Sequence, residues 1–486
     1  MTQLLWLRSD LRVRDNSALS AAMGNGPTVA LYLITPEQWL AHDDAPCKVD
    51  FWLRNLAELQ RELGALNVPL LIRHVPNWQQ VPEALLSLCQ ELDIEAVQFN
   101  DEYGVHETRR DAASASLLAQ HGIACQRHLD QLLFQPGSLL TQTGNYFQVF
   151  SQFRKACYRR LQIAPPVCRA LPKAQAPLAL ALQHDPLPSS VAGFAATPLS
   201  IQQLWPAGEA EAQRRLQLFS DEQLHHYEQQ RDLPARPGTS QLSAYLAAGV
   251  VSPRQCLHAA LSNNYGEFDT GNPGVVCWIN ELLWRELYKH ILVGYPRVSM
   301  RRAFRQHTEA LAWRSDPEQL AAWQQGRTGI PIIDAAMRQL LATGWMHNRL
   351  RMIVAMFLTK NLLIDWREGE RFFMRHLIDG DLAANNGGWQ WSASTGTDSA
   401  PYFRIFNPLR QSERFDPKGE FIRHWLPELA TVRAKDLHQP SCLGQNAGRL
   451  FSLPDYPRPI VDLSKSRARA LAAFKSLPQA AQLEVE

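Results

Sequence analysis

The stretch DGDLAANNGGWQW, residues 379–391, places carboxylates, amides, glycines and two tryptophans within 13 residues. Carboxylates such as Asp379 and Asp381 accept hydrogen bonds from sugar hydroxyls or pair with arginine. Glycines let a backbone approach a flat ligand closely. Because a plain loop seldom carries so much tryptophan, the composition favours a ligand-binding segment. We expect an extended or turning backbone here, on which Trp389 and Trp391 need not serve the same partner.

The sequence on either side of this stretch has a helical period. From about residue 200 onward, apolar residues recur at three- and four-residue spacing. Helices are predicted over residues 210–219, 275–292, 330–341, 350–363 and 367–377. Asp316 followed by Pro317 is typical of an N-cap with proline at the first helical position. Residues 200–486 are therefore predicted to form an all-α domain.

The first 130 residues alternate short apolar runs with amphipathic stretches. The apolar runs are residues 4–7, 29–34, 70–75 and 97–100, with helical patterns near 49–64 and 82–92. This alternation predicts a parallel, Rossmann-like α/β domain over residues 1–130. No GxGxxG or P-loop motif follows the first strand, so the usual nucleotide fingerprints are absent. Residues 131–199 are predicted to be a long connector, because seven prolines between 165 and 198 exclude a long regular helix.

The composition is that of a soluble globular protein. The 486 residues carry a net charge of +2, with 45% hydrophobic and 20% charged residues. The opening MTQLLWLRSD has no apolar core of a signal peptide, and no apolar run is long enough to span a membrane. We therefore expect a cytoplasmic protein. The eight cysteines form no CxxC pair, so we expect reduced thiols and no metal site.

Three further segments combine aromatic, charged and hydroxyl side chains. In WINELLWRELY, residues 278–288, helical spacing brings several of them onto adjoining parts of one surface. They are Trp278, Glu281, Trp284, Arg285 and Tyr288. An ordinary boundary helix with a Glu281–Arg285 pair is the alternative. In GTSQLS, residues 238–243, hydroxyls entering a helix suit either a phosphate or a simple cap.

The third segment, GWMHNRLRM, covers residues 344–352. Asn348 and Met352 share a helix face that Arg349 and Arg351 flank. Arginine at a helix N-terminus is poorly placed for the helix dipole, which favours phosphate or carboxylate binding over a plain basic helix start. Eight of the 14 tryptophans lie between Trp278 and Trp391. Their number alone does not distinguish core packing, a stacking platform and an electron path.

Taken together, these segments resemble the photolyase/cryptochrome family, and within it the class I cyclobutane pyrimidine dimer photolyases. The resemblance covers nearly the whole chain and is strongest from Tyr227 to Gln411. It rests on the ordered series WLRSDLR, TSQLS, WINELLWRELY, GWMHNRLRM, DGDLAANNGGWQWSASTGTD and RIFNP. The family implies an α/β antenna domain, a long connector and a helical domain that holds a U-shaped FAD.

The resemblance implies a set of FAD-contacting residues, with Arg351 as a partner for Asp379. The set comprises Tyr227, Thr239, Ser240, Gln241, Leu242, Ser243, Trp278, Arg285, Arg351, Asp379, Gly380, Asp381 and Asn385. Asn385 matches the residue that faces the reactive nitrogen of the flavin ring. An amide at this position can form a hydrogen bond with a reduced flavin in either protonation state.

The implied activity is light-driven repair of cyclobutane pyrimidine dimers by a monomer acting on UV-damaged DNA. Excited reduced FAD gives one electron to the flipped-out dimer, the cyclobutane ring opens and the electron returns. The residues implied to bind the lesion and the DNA are Glu281, Trp284, Arg285, Tyr288, Asn348, Arg349, Met352, Trp391, Arg404 and Gln411. Trp389, Trp366 and Trp313 match the family's electron-transfer chain from flavin to surface.

A second chromophore is implied by His106 and Glu107, although His106 replaces the family's usual amide. Ser299 and Met300 replace a Cys-Lys pair of folate-binding relatives. Methenyltetrahydrofolate is the expected antenna, with 8-hydroxy-5-deazaflavin or an empty site as alternatives. A signalling cryptochrome is a rival function, disfavoured by Asn385 and by the short segment after residue 470. Repair of the (6-4) photoproduct is another, disfavoured because Asn348 and Met352 stand where those enzymes use histidines, and a light-independent flavin oxidoreductase is a distant third.

Overall fold

One sheet of five strands forms in the N-terminal part of the computed structural model, which describes residues 2–178, 182–439, 443 and 456–478. The strands are β1 (Thr2–Leu7), β2 (Thr28–Ile34), β3 (Leu70–His74), β4 (Ile94–Asn100) and β5 (Ala124–His128). Their order is β3-β2-β1-β4-β5, and every neighbouring pair is parallel. The predicted parallel α/β class is confirmed.

The strand β5 has no counterpart among the predicted strands. Its sequence ACQRH contains no apolar run, and its side chains are exposed or half-buried at the edge of the sheet. The four predicted runs lie in β1 to β4, where most side chains are buried. Continuous apolar runs are typical of parallel strands that are covered on both faces. The hydrophobic pattern therefore revealed the interior of the sheet and missed its polar edge.

The proline-rich connector covers the other edge of the sheet, strand β3. Its described residues 164–178 and 182–198 form no helix or strand. The Asp185 N–H donates to the Leu70 carbonyl over 3.0 Å, and the Leu70 N–H donates to Nδ1 of His184 over 2.9 Å. The Ile72 N–H donates to the Asp185 carboxylate over 2.8 Å. The connector thus satisfies edge groups that would otherwise invite pairing with another strand.

Helices make up most of the remaining described chain. In the first half they are α1 (Ser17–Asn25), α2 (Pro36–Ala41), α3 (Pro46–Ala65), α4 (Val81–Glu91), α5 (Val105–Gln120), α6 (Phe150–Ile163), α7 (Leu199–Leu204), α8 (Glu209–Glu222), α9 (Tyr227–Gln230) and α10 (Ser243–Ala247). They continue with α11 (Pro253–Ser262), α12 (Pro273–Gly294), α13 (Pro317–Gln324), α14 (Pro331–Thr343), α15 (Asn348–Met356), α16 (Trp366–Met374), α17 (Leu382–Ala393), α18 (Pro408–Phe415), α19 (Glu420–Trp425), α20 (Ala434–Leu437) and α21 (Leu463–Lys475).

The local signals for helix boundaries are largely confirmed. The Asp316 carboxylate accepts a hydrogen bond from the Gln319 N–H, and Pro317 begins α13, as predicted. The helix predicted over residues 350–363 divides instead into α15 and a π-helical turn, Phe357–Leu362. Residue Leu363 ends this turn in a left-handed conformation, with φ of 55°. A π-turn keeps side chains at near-helical spacing, so the sequence period could not distinguish it from an α-helix.

The extended or turning backbone expected around Trp389 and Trp391 is wrong, because both residues lie in α17. Glycine is a weak helix former, and this helix contains two in succession, Gly387 and Gly388. In a helix, however, two residues separated by one position point about 200° apart. The two rings therefore face nearly opposite sides of α17, and their predicted separation of roles stays compatible with the fold.

The chain packs as two compact units. The first comprises Met1–Glu228, Ser240–Pro296 and Ile378–Ala383 and contains the sheet. The second comprises Gln229–Thr239, Arg297–Leu377 and Ala384–Glu486, and its described elements are helical. The α/β and all-α classes predicted for the two parts of the chain are confirmed. The predicted domain limits, 1–130, 131–199 and 200–486, stay predictions.

A buried network of ion pairs ties distant segments of the first unit together. The Asp130 carboxylate, which is fully buried, accepts hydrogen bonds from Arg12 over 2.6 Å and from Arg254 over 2.8 Å. Arg254 also donates to the Asp15 carboxylate over 2.9 Å. The guanidinium groups hold the pKa of Asp130 below its usual range. Mutual pairing is what makes so many buried charges tolerable.

Candidate functional site

The aromatic residues of α12 have two different environments. Trp278 is only 4% exposed and packs on Phe219, with ring centroids 5.1 Å apart. Tyr227 is also buried and contacts the same phenylalanine ring at 5.7 Å. These two predicted cofactor residues therefore have large core-packing surfaces in the first unit.

Trp284, one turn and a half further along α12, is half-buried and held in an aromatic stack. Its ring is parallel to that of Phe150, with centroids 3.9 Å apart and 8° between the planes. Tyr288 contacts the same indole at 5.7 Å. Arg285 donates to the carbonyl of Gln131 over 2.6 Å. The stack fixes the orientation of Trp284, and Phe150 was not identified from the sequence because it lies far from α12 in the chain.

Two lysines hold the segment that carries Asp379, Gly380 and Asp381 in the first unit. Lys48 in α3 donates to the Gly380 carbonyl over 2.5 Å. Lys289 in α12 donates to the Asp381 carboxylate over 2.7 Å. Upstream, Gln241 adopts a left-handed backbone with φ of 50° between the hydroxyl residues Ser240 and Ser243. Non-glycine residues in this region store strain and are common at ligand sites.

Helix α15 in the second unit begins with the predicted lesion and phosphate residues. Asn348 is exposed and Met352 half-buried. Arg349 donates from Nε and Nη2 to both carboxylate oxygens of Asp232, over 3.1 and 2.7 Å. A phosphate group would therefore compete with this paired contact. In the sequence, the adjacent charges of Arg231 and Asp232 were the available sign that this segment forms an ion pair.

His347 is the N-cap of α15. Its Nδ1 accepts a hydrogen bond from the Arg349 N–H over 3.2 Å, and the residue is buried. Burial lowers the pKa of His347 to about 4, so the imidazole is neutral at physiological pH. His347 precedes the helix, whereas Asn348 and Met352 lie within it.

The less buried face of α17 presents small residues next to an amide. Asn385 is half-buried and donates from Nδ2 to the carbonyl of Glu370 over 3.0 Å, which fixes the plane of its amide. Gly388, one turn further, has open space where a Cβ atom would stand. Trp391 is half-buried and lies about 60° around the helix from Gly388 and about 120° from Asn385. This face can therefore accept a flat group beside a hydrogen-bonding amide.

Trp389 follows Asn385 by four positions, about 40° around α17, and is buried in the core of the second unit. The Trp389 indole contacts Phe373 at 5.0 Å and Trp323 at 5.9 Å. Trp366 is buried in the same hydrophobic cluster, and Trp313 is partly buried against it. The structure thus brings the three predicted electron-transfer tryptophans into one cluster. Trp323 is fully buried there, whereas Trp345 is only half-buried.

Two predicted DNA contacts lie on an exposed basic segment of the second unit. Arg404 is exposed, and Gln411 is half-buried in α18. The neighbouring Phe403 is 58% exposed, which is unusual for a large apolar ring. The sequence prediction did not include Phe403, although its place between Tyr402 and Arg404 was a visible signal.

The predicted antenna residues lie at the start of α5. His106 is exposed, with its ring 5.5 Å from that of His42. Burial, with a smaller contribution from the Glu102 carboxylate, raises the pKa of Glu107 to about 7. Glu107 also lies in the first turn of α5, where a negative charge favours the helix. Ser299 is buried and Met300 is 47% exposed in the second unit.

The predicted FAD residues are divided between the two units. The first holds Tyr227, Ser240, Gln241, Leu242, Ser243, Trp278, Arg285, Asp379, Gly380 and Asp381. The second holds Thr239, Arg351 and Asn385, and Arg351 donates from Nε to the Met346 carbonyl over 2.8 Å. The pairing of Arg351 with Asp379 stays a prediction.

The cysteine, histidine and acidic side chains of the described residues are dispersed rather than clustered. They include no group of three or more His, Cys, Asp and Glu side chains suited to a metal ion. None of the described helices has the length and apolar character needed to cross a membrane. The seven cysteines within the described ranges are free thiols, and Cys442 lies outside those ranges.

Comparison with known proteins identifies the family. Residues 3–174 match the family model for DNA photolyase, and residues 278–476 match that for the FAD binding domain of DNA photolyase. The deoxyribodipyrimidine photo-lyase of Escherichia coli strain K12 is 45% identical over 477 residues, covering 98% of each chain. That of Neurospora crassa is 40% identical over 496 residues, covering 97% of this chain and 81% of its own.

Solved structures show the same two-domain architecture. A class III photolyase from Agrobacterium tumefaciens matches with a TM-score of 0.84 and 34% identity, covering 98% of this chain and 97% of its own. A cryptochrome from Synechocystis matches with a TM-score of 0.85 and 27% identity, covering 97% and 99%. The fold, the matched FAD-binding domain and the full-length relatives agree, and the chain belongs to the DNA photolyase family.

Proposed function

We propose that this protein is a monomeric, intracellular enzyme that uses light and FAD to split cyclobutane pyrimidine dimers in DNA. The observation that carries the proposal is the arrangement of residues around α17. The open space at Gly388 and the ring of Trp391 lie on one side of the helix. The amide of Asn385 lies between Gly388 and Trp389 in angle around the helix axis. Trp389 itself is buried in a tryptophan-containing core. A cofactor beside Gly388 and Asn385 would therefore lie next to the side of the helix that leads to Trp389.

The residues present fit a flavin. The open space at Gly388 leaves room for a flat ring, and the fixed amide of Asn385 offers both a donor and an acceptor. In the first unit, Asp379 and Asp381 supply carboxylates for ribose hydroxyls, and residues 240–243 supply hydroxyl and backbone donors for phosphates. When bound and reduced, FAD supplies a photoexcitable one-electron donor whose electron returns after the cyclobutane ring opens.

Side chains of α12 in the first unit, and separately of α15 and α17 in the second, are proposed to contact the extruded dimer. Trp391 and Trp284 offer ring faces, and each base–aromatic stack is worth about 1–3 kcal/mol. The Phe150–Trp284 stack pre-orients one of these rings, so less conformational freedom is lost on binding. Glu281 binds the polar edge of the pyrimidines, while Asn348 and Met352 contact the rest of the dimer. A dimer cannot stack normally in the duplex, which lowers the cost of flipping it out.

Basic and polar side chains beside these residues are proposed to hold the damaged strand. Arg285, Arg349, Arg404 and Gln411 would contact phosphates, and Tyr288 would support the ring of Trp284. Such contacts position the strand without reading its sequence. Arg349 would contact a phosphate only after the phosphate displaces the Asp232 carboxylate. This contact would therefore form only when DNA is bound. Damaged DNA is therefore proposed to be recognised by lesion shape and backbone charge.

A second chromophore is proposed at His106 and Glu107, with methenyltetrahydrofolate as the ligand. The raised pKa of Glu107 supports the binding of a group that can accept or donate a proton at neutral pH. An archaeal photolyase from Sulfolobus tokodaii, which matches with a TM-score of 0.79 and 27% identity, contains two FAD molecules. The absorption spectrum of protein purified from its own source distinguishes folate, deazaflavin, flavin and an empty site.

The test uses two defined oligonucleotides, one with a cyclobutane dimer and one with a (6-4) photoproduct. The reduced, FAD-loaded protein is illuminated with each, and the lesions are counted by chromatography. Loss of the cyclobutane dimer alone supports the proposal. Loss of the (6-4) lesion alone identifies the rival repair activity, and loss of neither contradicts a repair function.

A further inference from the structure

Two lysines from helices distant in the chain meet the loop that carries Asp379, Gly380 and Asp381. Lys48 donates to the Gly380 carbonyl over 2.5 Å and to the Asp44 carboxylate over 2.6 Å. Lys289 donates to the Asp381 carboxylate over 2.7 Å. Lys48 is 7% exposed and Lys289 is 6% exposed. All of these contacts lie within the first unit.

Burial of these two ammonium groups indicates a specific role. Lysine is almost never fully buried unless it is paired, because removing an ammonium from water costs several kcal/mol. The helices themselves do not need the charges, since α3 already packs through Phe51, Leu56 and Leu59. What the two lysines share is the loop at residues 379–381. Their burial is therefore best explained by what they hold.

The two contacts constrain different parts of the loop. Lys48 binds a backbone carbonyl, and a trans peptide directs the following N–H, that of Asp381, to the opposite side. Lys289 binds a carboxylate oxygen and thereby limits rotation of the Asp381 side chain. Lys48 therefore sets the direction of the peptide plane, and Lys289 sets the orientation of the Asp381 carboxylate. Together they pre-organise a loop that would otherwise lose conformational freedom on binding.

We propose that Lys48 and Lys289 are positioning residues for FAD, which hold the 379–381 loop in the geometry that binds the cofactor. This inference rests on the proposed function, because it takes the loop to be part of the FAD site. Lys48 comes from the α/β part of the chain, 332 residues before Gly380. Retention of FAD therefore depends on a side chain that lies outside the matched FAD-binding domain, residues 278–476.

The test compares Lys48→Met and Lys289→Met with Lys173→Met, which alters an exposed lysine of the first unit. FAD is removed and added back, and the Kd is measured by flavin fluorescence. We expect each of the first two variants to raise the Kd about tenfold or more, and Lys173→Met to match wild type. The rise in Tm that FAD produces should shrink in the same two variants.

A purely structural role would lower the Tm of the FAD-free and FAD-loaded forms equally and leave the Kd unchanged. A Kd within about twofold of wild type for either methionine variant overturns the proposal. If a methionine variant does not fold, Lys48→Arg and Lys289→Arg replace it, because they keep a charged donor with altered geometry, and the same criterion applies. Failure of the wild-type protein to bind FAD would instead overturn the proposed function itself.

Discussion

The open side of α17 allows the proposed flavin position to be tested with a single methyl group. At Gly388 an added Cβ atom would meet no protein atom within 4 Å. In the FAD-free protein, Gly388→Ala therefore introduces no clash and improves helix propensity by about 0.5–1 kcal/mol. If the flavin ring lies against this face, the same methyl group occupies its space and must weaken FAD binding.

The expected loss can be set against a second glycine with the opposite environment. Overpacking by one methyl group costs about 1–3 kcal/mol, so Gly388→Ala should raise the Kd for FAD by about tenfold or more. At Gly369 an added Cβ atom would lie 2.0 Å from the Trp389 ring, where ordinary contact begins at 3.4 Å. Gly369→Ala must therefore displace the ring or backbone by about 1.4 Å, and should destabilise the FAD-free protein by about 1–3 kcal/mol.

Both variants are assayed by denaturant unfolding of the FAD-free protein and by FAD titration. Gly388→Ala should leave unfolding unchanged or slightly more costly while weakening FAD binding. Gly369→Ala should lower the free energy of unfolding. That result would show that the unfolding assay detects a clash against the Trp389 ring. A Gly388→Ala protein that is folded and binds FAD with wild-type affinity would refute the placement of the flavin beside this face.

Three further predictions follow from the second unit's tryptophans, a buried histidine and the buried ion pairs. Trp313→Phe should slow photoreduction of oxidised FAD and leave repair by pre-reduced enzyme intact; transient absorption with a wild-type rate would remove Trp313 from the electron path. Because burial lowers the pKa of His347 from 6.5 to about 4, the unfolded chain binds more protons between these values, and stability should fall by up to about 3 kcal/mol as pH drops through that window. His347→Asn, which retains a capping side chain, should flatten this part of the pH–stability curve, and an unchanged slope would contradict the assignment. Asp130→Asn should destabilise the protein by about 3–5 kcal/mol in urea unfolding, since Arg12 and Arg254 lose a buried counter-charge, and a change below about 1 kcal/mol would show that the pairs contribute little.

Sequence reasoning succeeded where a pattern is local. The apolar runs of β1 to β4 and the Asp316 N-cap are each visible within a few consecutive residues, and the structure confirms both. The edge strand β5 was missed because none of its side chains is buried, so its sequence shows no apolar pattern. The two adjacent glycines of α17 concealed a helix, because tertiary packing of Trp389 outweighed their weak helix propensity.

Contacts over long chain separations could not be inferred from any local signal. Lys48 reaches Gly380 across 332 residues, and Phe150 stacks on Trp284 from a separate helix. The sequence identified the residues with notable chemistry, such as Asn385 and Arg349, but not the groups that orient them. The Glu370 carbonyl and the Asp232 carboxylate became visible only with the fold.

The central claim is tested most directly by illuminating the reduced, FAD-loaded protein with an oligonucleotide that carries one cyclobutane pyrimidine dimer. Matched samples are kept in the dark, and the remaining dimer is measured in both. We expect dimers to disappear in the light, with restoration of two pyrimidines, and to persist in the dark. Equal amounts of dimer in illuminated and dark samples would contradict it.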